Sequence, residues 1–243
     1  MGRWAEVRVV ESTGSTNADL VAAAGAGEPS GTVLVAEEQT AGRGRLDRPW
    51  SSPPRSGLTF SMLLAPDWPA TLWGWVPLAA GVALTESVRE CGLVEVGVKW
   101  PNDLLVGDRK CAGILSEVAA GGVVVGVGLN VTTTAQELPS LPPGQQPTSL
   151  LIEGAVATDR ATLLLSMLRH FDHLLSGDVE TVRERLLGVC ITVGSEVRVE
   201  LPGGRSVEGL AVDVDHEGRL VVETDHGRST FAAGDIRHLR RAP

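Results

Sequence analysis

The stretch Val96-Gly97-Val98-Lys99-Trp100-Pro101-Asn102-Asp103-Leu104-Leu105-Val106-Gly107-Asp108-Arg109-Lys110-Cys111, continued through residue 131, decides the fold. Short apolar runs follow one another with only turn residues between them. Residues 96–100 end at Pro101-Asn102-Asp103, residues 104–106 at Gly107-Asp108-Arg109, and Gly121-Gly122 separates 111–119 from 123–131. Connections this short join antiparallel strands, because a parallel crossover needs a dozen residues or more. An antiparallel meander therefore lies at the centre of the chain.

Outward from it, residues 6–10 read as a strand. Ser15-Thr16-Asn17 caps an alanine-rich helix to about Ala24, stopped by Gly25 and Gly27. Residues 32–38 and 58–64 read as strands, and 73–91 carry helical spacing through Trp73, Val76, Ala80 and Leu84. Downstream, helices are expected at about 149–153, 160–175 and 179–187. From Ile191 the pattern changes to short strands with turns at Gly203-Gly204, Glu217-Gly218 and His226-Gly227. The expected architecture is α+β, a mixed or antiparallel sheet with helices over residues 1–188, followed by a small β-barrel over 189–243.

A chain of 243 residues that is 43% hydrophobic can bury a core without disulfide staples. Its three cysteines, Cys91, Cys111 and Cys190, are dispersed and form no C-x-x-C pair, against a zinc site or a secreted framework. The N-terminus has no signal-peptide apolar run, and the longest apolar window, 72–84, is interrupted by Pro77 and too short to span a bilayer. A cytoplasmic protein without membrane contact is expected. The net charge of −9 argues against DNA or RNA as a partner. Yet residues 40–60 carry Arg43, Arg45, Arg48 and Arg55 against Asp47 alone, a local excess that suits a small anion. The only two lysines, Lys99 and Lys110, fall within one twelve-residue window.

Several signatures fail. No G-x-x-x-x-G-K-[ST] exists, and Gly126-Val127-Gly128 leads on to Asn130-Val131-Thr132 rather than to a third glycine and a helix. His170 and His173 share a helix turn without a further ligand and read as solvated surface. Asp213-x-Asp215-x-Glu217-Gly218 has Thr224 where a calcium loop needs glutamate, so it reads as a charged hairpin turn. No metal site in the protein itself is expected.

The positive signal is the loop Gln39-Thr40-Ala41-Gly42-Arg43-Gly44-Arg45-Leu46-Asp47-Arg48-Pro49-Trp50, within an eighteen-residue segment, 39–56, lacking apolar periodicity. Its glycines let backbone N–H groups approach a ligand, and its arginines offer forks for carboxylate and phosphate oxygens. Lys99-Trp100-Pro101-Asn102-Asp103 puts three polar groups at one sheet edge, with Trp100 on the opposite, core face from Lys99. Lys110 to Glu117 and Gly126 to Asn130 are glycine-bearing strands, where a missing side chain marks close approach of backbone or ligand.

In this order, with Ser15-Thr16-Asn17 ahead of them, the motifs resemble the biotin–protein ligases (holocarboxylase synthetases) over nearly the whole chain. Thr148-Ser149-Leu150 matches the family's late helix start, and the β tail its SH3-like C-terminal domain. The resemblance implies a class II synthetase-like catalytic domain. It also implies a reaction in which biotin and Mg-ATP give biotinyl-5′-AMP, and the biotinyl group then passes to one lysine of a biotin carboxyl carrier protein. It assigns Ser15, Thr16, Asn17, Gln39, Gly42, Arg43, Gly44, Arg45, Lys99 and Gly113 to biotin. Arg45, Arg48, Trp50, Lys110 and Asn130 fall to ATP, Asn130 through its metal or phosphate, and Lys99, Arg45 and Arg48 to catalysis. The valeryl tail is expected along the strands near Gly113 and Gly128. Asp47 stands where many members have glycine, so Arg48 is expected to be partly neutralised in the empty protein. Because Ser15-Thr16-Asn17 comes so early, a ligase without the N-terminal winged helix of bifunctional relatives is expected.

Two other readings remain. A lipoyl or octanoyl transferase of related fold would use a cysteine thioester, and Cys111 lies beside Lys110, although adjacent strand residues face opposite ways. A non-catalytic biotin-binding regulator would use the β tail for nucleic acid, but residues 191–243 hold seven arginines against nine acids and one aromatic, Phe231.

Overall fold

A computed structural model describes residues 2–139, 146–201, 205–232 and 234–239. The first sheet is built from β1 (Glu6–Val10), β2 (Thr32–Ala36), β3 (Gly57–Leu64), β4 (Gly97–Lys99), β5 (Asp103–Val106), β6 (Arg109–Ala119), β7 (Gly122–Asn130) and the two-residue β8 (Gln146–Pro147). Its order is β1-β2-β3-β7-β6-β5-β4, with β8 beside β6. The β1–β2 and β6–β8 pairs are parallel and the rest antiparallel, so the sheet is mixed.

Burial explains the layering. Every residue of β3 and β7 is buried, as expected of central strands covered on both faces. Alternation along them sends Leu63 and Val124 to one face, where with Leu34 they meet Leu20 and Ala24 of α1 (Thr16–Gly25). Met62, Leu64, Val123 and Val125 go to the other face and join the main core with α2 (Trp75–Gly92), α3 (Arg160–Ser176) and α4 (Val179–Leu187). Small residues of α2 let it lie close to the sheet; a Cβ at Gly81 would already touch Val98 at 3.4 Å.

The second sheet is antiparallel and contains β9 (Glu196–Glu200), β10 (Ser206–Val214), β11 (Leu220–Thr224), β12 (Gly227–Phe231) and β13 (Asp235–His238), in the order β12-β11-β10-β9-β13. It is fastened to the first unit by buried and half-buried polar contacts. Trp75 Nε1 donates to His216 O at 2.9 Å and Trp100 Nε1 to Gly218 O at 3.0 Å. Arg183 grips both carboxylate oxygens of Asp213 at 2.7 and 2.8 Å.

Three expectations need correction. The helix at 149–153 is a single turn, closed by Glu153 N to Ser149 O at 3.1 Å and followed by Gly154 at φ +76°. The strand expected over 96–100 is only Gly97–Lys99, because Pro101-Asn102 turns directly into β5. His170 is not free surface: its ring lies between Glu86 and Glu90 at 3.0 and 2.9 Å, tying α3 to α2. The Asp213–Glu217 segment is a hairpin turn as expected, with Asp215 accepting from the backbone N of Glu217 and Arg219. The turn at Gly203-Gly204 lies outside the described residues.

Candidate active site

A cavity of about 300 Å³ opens where the N-terminus of α1, the segment 39–56, the β4–β5 turn, β6, β7 and β13 converge, a size that suits a small organic ligand. Of the residues singled out from sequence, Ser15, Thr16, Asn17, Gln39, Arg43, Gly44, Arg45, Arg48, Trp50, Lys99, Lys110, Gly113 and Asn130 all line it. Gly42 is placed differently. It packs inside its own loop, where a Cβ would meet Trp50 O at 2.5 Å, so its contribution is to the path of the chain.

The floor is a buried polar chain. Gln39 Oε1 accepts from Thr16 N at 2.8 Å and from Thr16 Oγ1 at 3.0 Å. Thr16 Oγ1 lies 2.7 Å from Ser61 Oγ, and Ser61 Oγ donates to Asn17 Oδ1 at 2.6 Å. Asn17 Nδ2 donates to Glu117 Oε2 at 2.7 Å and Leu115 O at 3.2 Å. Gly126 makes room for this chain: a Cβ there would stand 2.1 Å from Asn17 Oδ1. Ser15 is the helix cap, its Oγ accepting from Ala18 N. Sequence reading missed Ser61 and Glu117. For Ser61 the available signal was a hydroxyl in the mostly apolar run of β3, one it shares with Thr59.

The cationic side is braced by the Pro101 turn. Asn102 Oδ1 accepts from Arg45 NH1 at 3.0 Å while its Nδ2 donates to Ile114 O at 3.0 Å. Asp103 pairs with Lys110 Nζ at 2.6 Å. Burial lowers the pKa of Lys99, opposed by the Asp103 carboxylate, and burial likewise lowers that of Arg45, opposed by Asp235 and Asp103. Arg48 pairs with Asp235 on β13. That residue was absent from the sequence-based set, since 187 positions separate the pair.

Trp50 lies across the two strand glycines. A Cβ at Gly128 would meet its indole at 2.2 Å and one at Gly113 at 3.4 Å, so the ring covers the path expected for the valeryl tail. Its Nε1 is buried without a hydrogen-bond partner, as is Asn130 Oδ1, whose amide Nδ2 donates to Thr148 O. Unsatisfied buried polar atoms at a cavity wall mark places a ligand can complete. Cys111 faces the core instead. It is fully buried, its thiol donates to Leu104 O, and burial pushes its pKa up to about 12.

Residues 9–133 match the biotin/lipoate A/B protein ligase family and residues 192–239 the biotin protein ligase C-terminal domain. A biotin–[acetyl-CoA-carboxylase] ligase of Mycobacterium tuberculosis is 42% identical over 98% of this chain and 90% of its own. A bifunctional ligase/repressor of Bacillus subtilis is 31% identical over 94% of this chain and 71% of its own. Among solved structures, a biotin protein ligase from Aquifex aeolicus in complex with biotin and ATP superimposes with a TM-score of 0.80 at 27% identity, covering 97% of this chain and 100% of that one.

Proposed function

The chain belongs to the biotin/lipoate A/B protein ligase family and is an ATP-dependent biotin–protein ligase; on that premise we propose how its residues divide the work. The carrier is a biotin-accepting domain of acetyl-CoA carboxylase or a related enzyme, and the catalytic unit ends near residue 188, with residues 189–243 as its C-terminal partner. The single observation that carries the assignment is the polar floor Gln39-Thr16-Ser61-Asn17. A neutral ureido ring needs donors and acceptors fixed in advance, and this chain supplies both beneath the arginine-bearing segment 39–56, the flap.

In the first half-reaction an oxygen of the biotin carboxylate attacks the α-phosphorus of ATP, and pyrophosphate leaves. Two anions must meet, so charge cancellation is the main task. Arg45, Arg48 and Lys99 are assigned to it; removing one such preorganised donor typically costs about 3–4 kcal/mol. Lys110, held by Asp103, serves the nucleotide. Magnesium bound with ATP neutralises phosphate charge. Asn130 Oδ1, a buried unpaired oxygen, fits a hard cation's preference and would hold it together with the phosphates. In the second half-reaction the carrier's lysine amine attacks the acyl carbon and AMP leaves. The mixed anhydride is already reactive, so positioning suffices.

A thioester route through Cys111 is disfavoured by its burial and raised pKa. The deciding experiment is ATP–pyrophosphate exchange with biotin or lipoate as the acid. Exchange is expected with biotin and at background with lipoate; the reverse pattern, or none, overturns the reading.

A further inference from the structure

Asp235 opens β13 at the mouth of the cavity, and its carboxylate pairs with Arg48 of the flap. The same charge acts on Arg45 and Lys99, and the adjacent Gly234 O accepts from Arg45 NH2 at 3.3 Å. Asp235 therefore sits among the three cations assigned to the reacting carboxylate and phosphate, and unlike Asp103, which pairs with Lys110, it pairs with the flap itself. Between the two tethered arginines, Leu46 holds φ 55°, left-handed backbone that a leucine avoids. Leu46 is 68% exposed, so packing does little to hold that turn; backbone bonds from Gly44 N to Arg48 O and from Arg48 N to Arg45 O close it, and the side-chain tethers of the two arginines flank it.

The two ends of this tether differ in freedom. The sheet bearing Asp235 is bolted in place through Trp75, Trp100 and Arg183, whereas the flap is closed on itself by backbone bonds between Gly42 and Trp50 and reaches that sheet through the side chains of Arg45 and Arg48. An arriving triphosphate competes with Asp235 for Arg48, and the flap is the part that can yield. A carboxylate left beside the phosphates also repels them, so both effects weaken nucleotide binding in the same direction.

We propose that Asp235 is a positioning residue that parks the flap in the empty protein by standing in for substrate phosphate, and thereby sets the affinity for ATP. The inference rests on the ATP-dependent reading above.

Asp235→Asn keeps the shape and removes the charge. A partly exposed ion pair is worth about a factor of two to five, and relief at Arg45 and Lys99 adds to it. The KM for ATP in biotin-dependent exchange is expected to fall about three- to tenfold, with the KM for biotin moving less than about twofold. Trypsin should cut the empty variant after Arg45 at least about threefold faster than the native protein, because the tethered loop is then open more of the time. Asp235→Glu, which retains the anion, should return both readouts toward native values. A KM for ATP that is unchanged or raised overturns the proposal, and so does unchanged cleavage. Cleavage of the empty protein needs no substrate, so it tests the tether even if native exchange is absent, a result that counts against the functional reading instead.

Discussion

Thr16, Asn17 and Ser61 on the cavity floor are 2%, 4% and 0% exposed, whereas the Arg48 side chain on the flap is 46% exposed. The floor residues are bonded to one another and to Gln39 and Glu117 through short neutral and charge-assisted hydrogen bonds, so their orientation is fixed before any ligand arrives. Arg45 and Arg48 on the flap are held by Asn102, Gly234 O and Asp235, contacts that a more highly charged ligand can replace. The contrast assigns recognition of an uncharged ring to a rigid surface and cancellation of charge to a movable one. A buried polar group is costly to leave unpaired, which rewards a complete network. A phosphate-binding arginine must exchange partners, which rewards a weak resident one.

The largest effect that bears on this contrast lies on the flap side. Arg45→Ala should lower biotin-dependent pyrophosphate exchange about a hundredfold, with a thermal midpoint close to native because Arg45 bridges loops and supports no core. A loss below tenfold, or a collapsed midpoint, would break the division of labour. Next, Ser61→Ala removes the hydroxyl linking Thr16 to Asn17 and takes away the donor to the buried Asn17 Oδ1, while Thr16 Oγ1 keeps Gln39. It should cost about 1–3 kcal/mol in denaturant unfolding and weaken biotin while leaving the KM for ATP nearly unchanged. A destabilisation within about 0.5 kcal/mol, the scale of ordinary surface changes, would put floor and flap on the same footing.

The smallest effect sharpens the comparison through pH. His238 on β13 lies 3.2 Å from Thr192 Oγ1, and burial, reinforced by the Lys99 charge, lowers its pKa from 6.5 to about 4. The unfolded chain therefore takes up a proton between those values while the folded one does not. Stability is full above pH 6.5, declines as the pH falls toward 4, and becomes level below it. His238→Asn should flatten that part of the unfolding profile without altering the neutral-pH affinity for biotin. A profile of native steepness in the variant would remove His238 from this account.

Much of the site is legible in the chain itself. Gln39, Arg43, Arg45, Arg48 and Trp50 sit in one uninterrupted loop, and Lys99 and Lys110 stand out because lysine occurs nowhere else. Ser61 and Glu117 could not be read this way. Each occupies an ordinary strand position, and each acquires meaning only because β3, β6 and α1 meet, with Asn17 reaching Glu117 across 100 positions. Asn102 looked like turn chemistry and is also the brace for Arg45. Trp50 could have been anchor or stacking surface; the fold lays it over Gly113 and Gly128.

Local physics written into the chain determined the strands, the α1 cap, the antiparallel meander and the chemical character of the flap, because alternation, turn residues and side-chain charge act over a few neighbours. The tertiary structure alone decided which hydroxyl completes the floor and which carboxylate neutralises Arg48. It also fixed how firmly the C-terminal sheet closes the mouth of the cavity. Those pairings join residues far apart in sequence, and only the packing of both sheets into one body brings them within hydrogen-bonding distance.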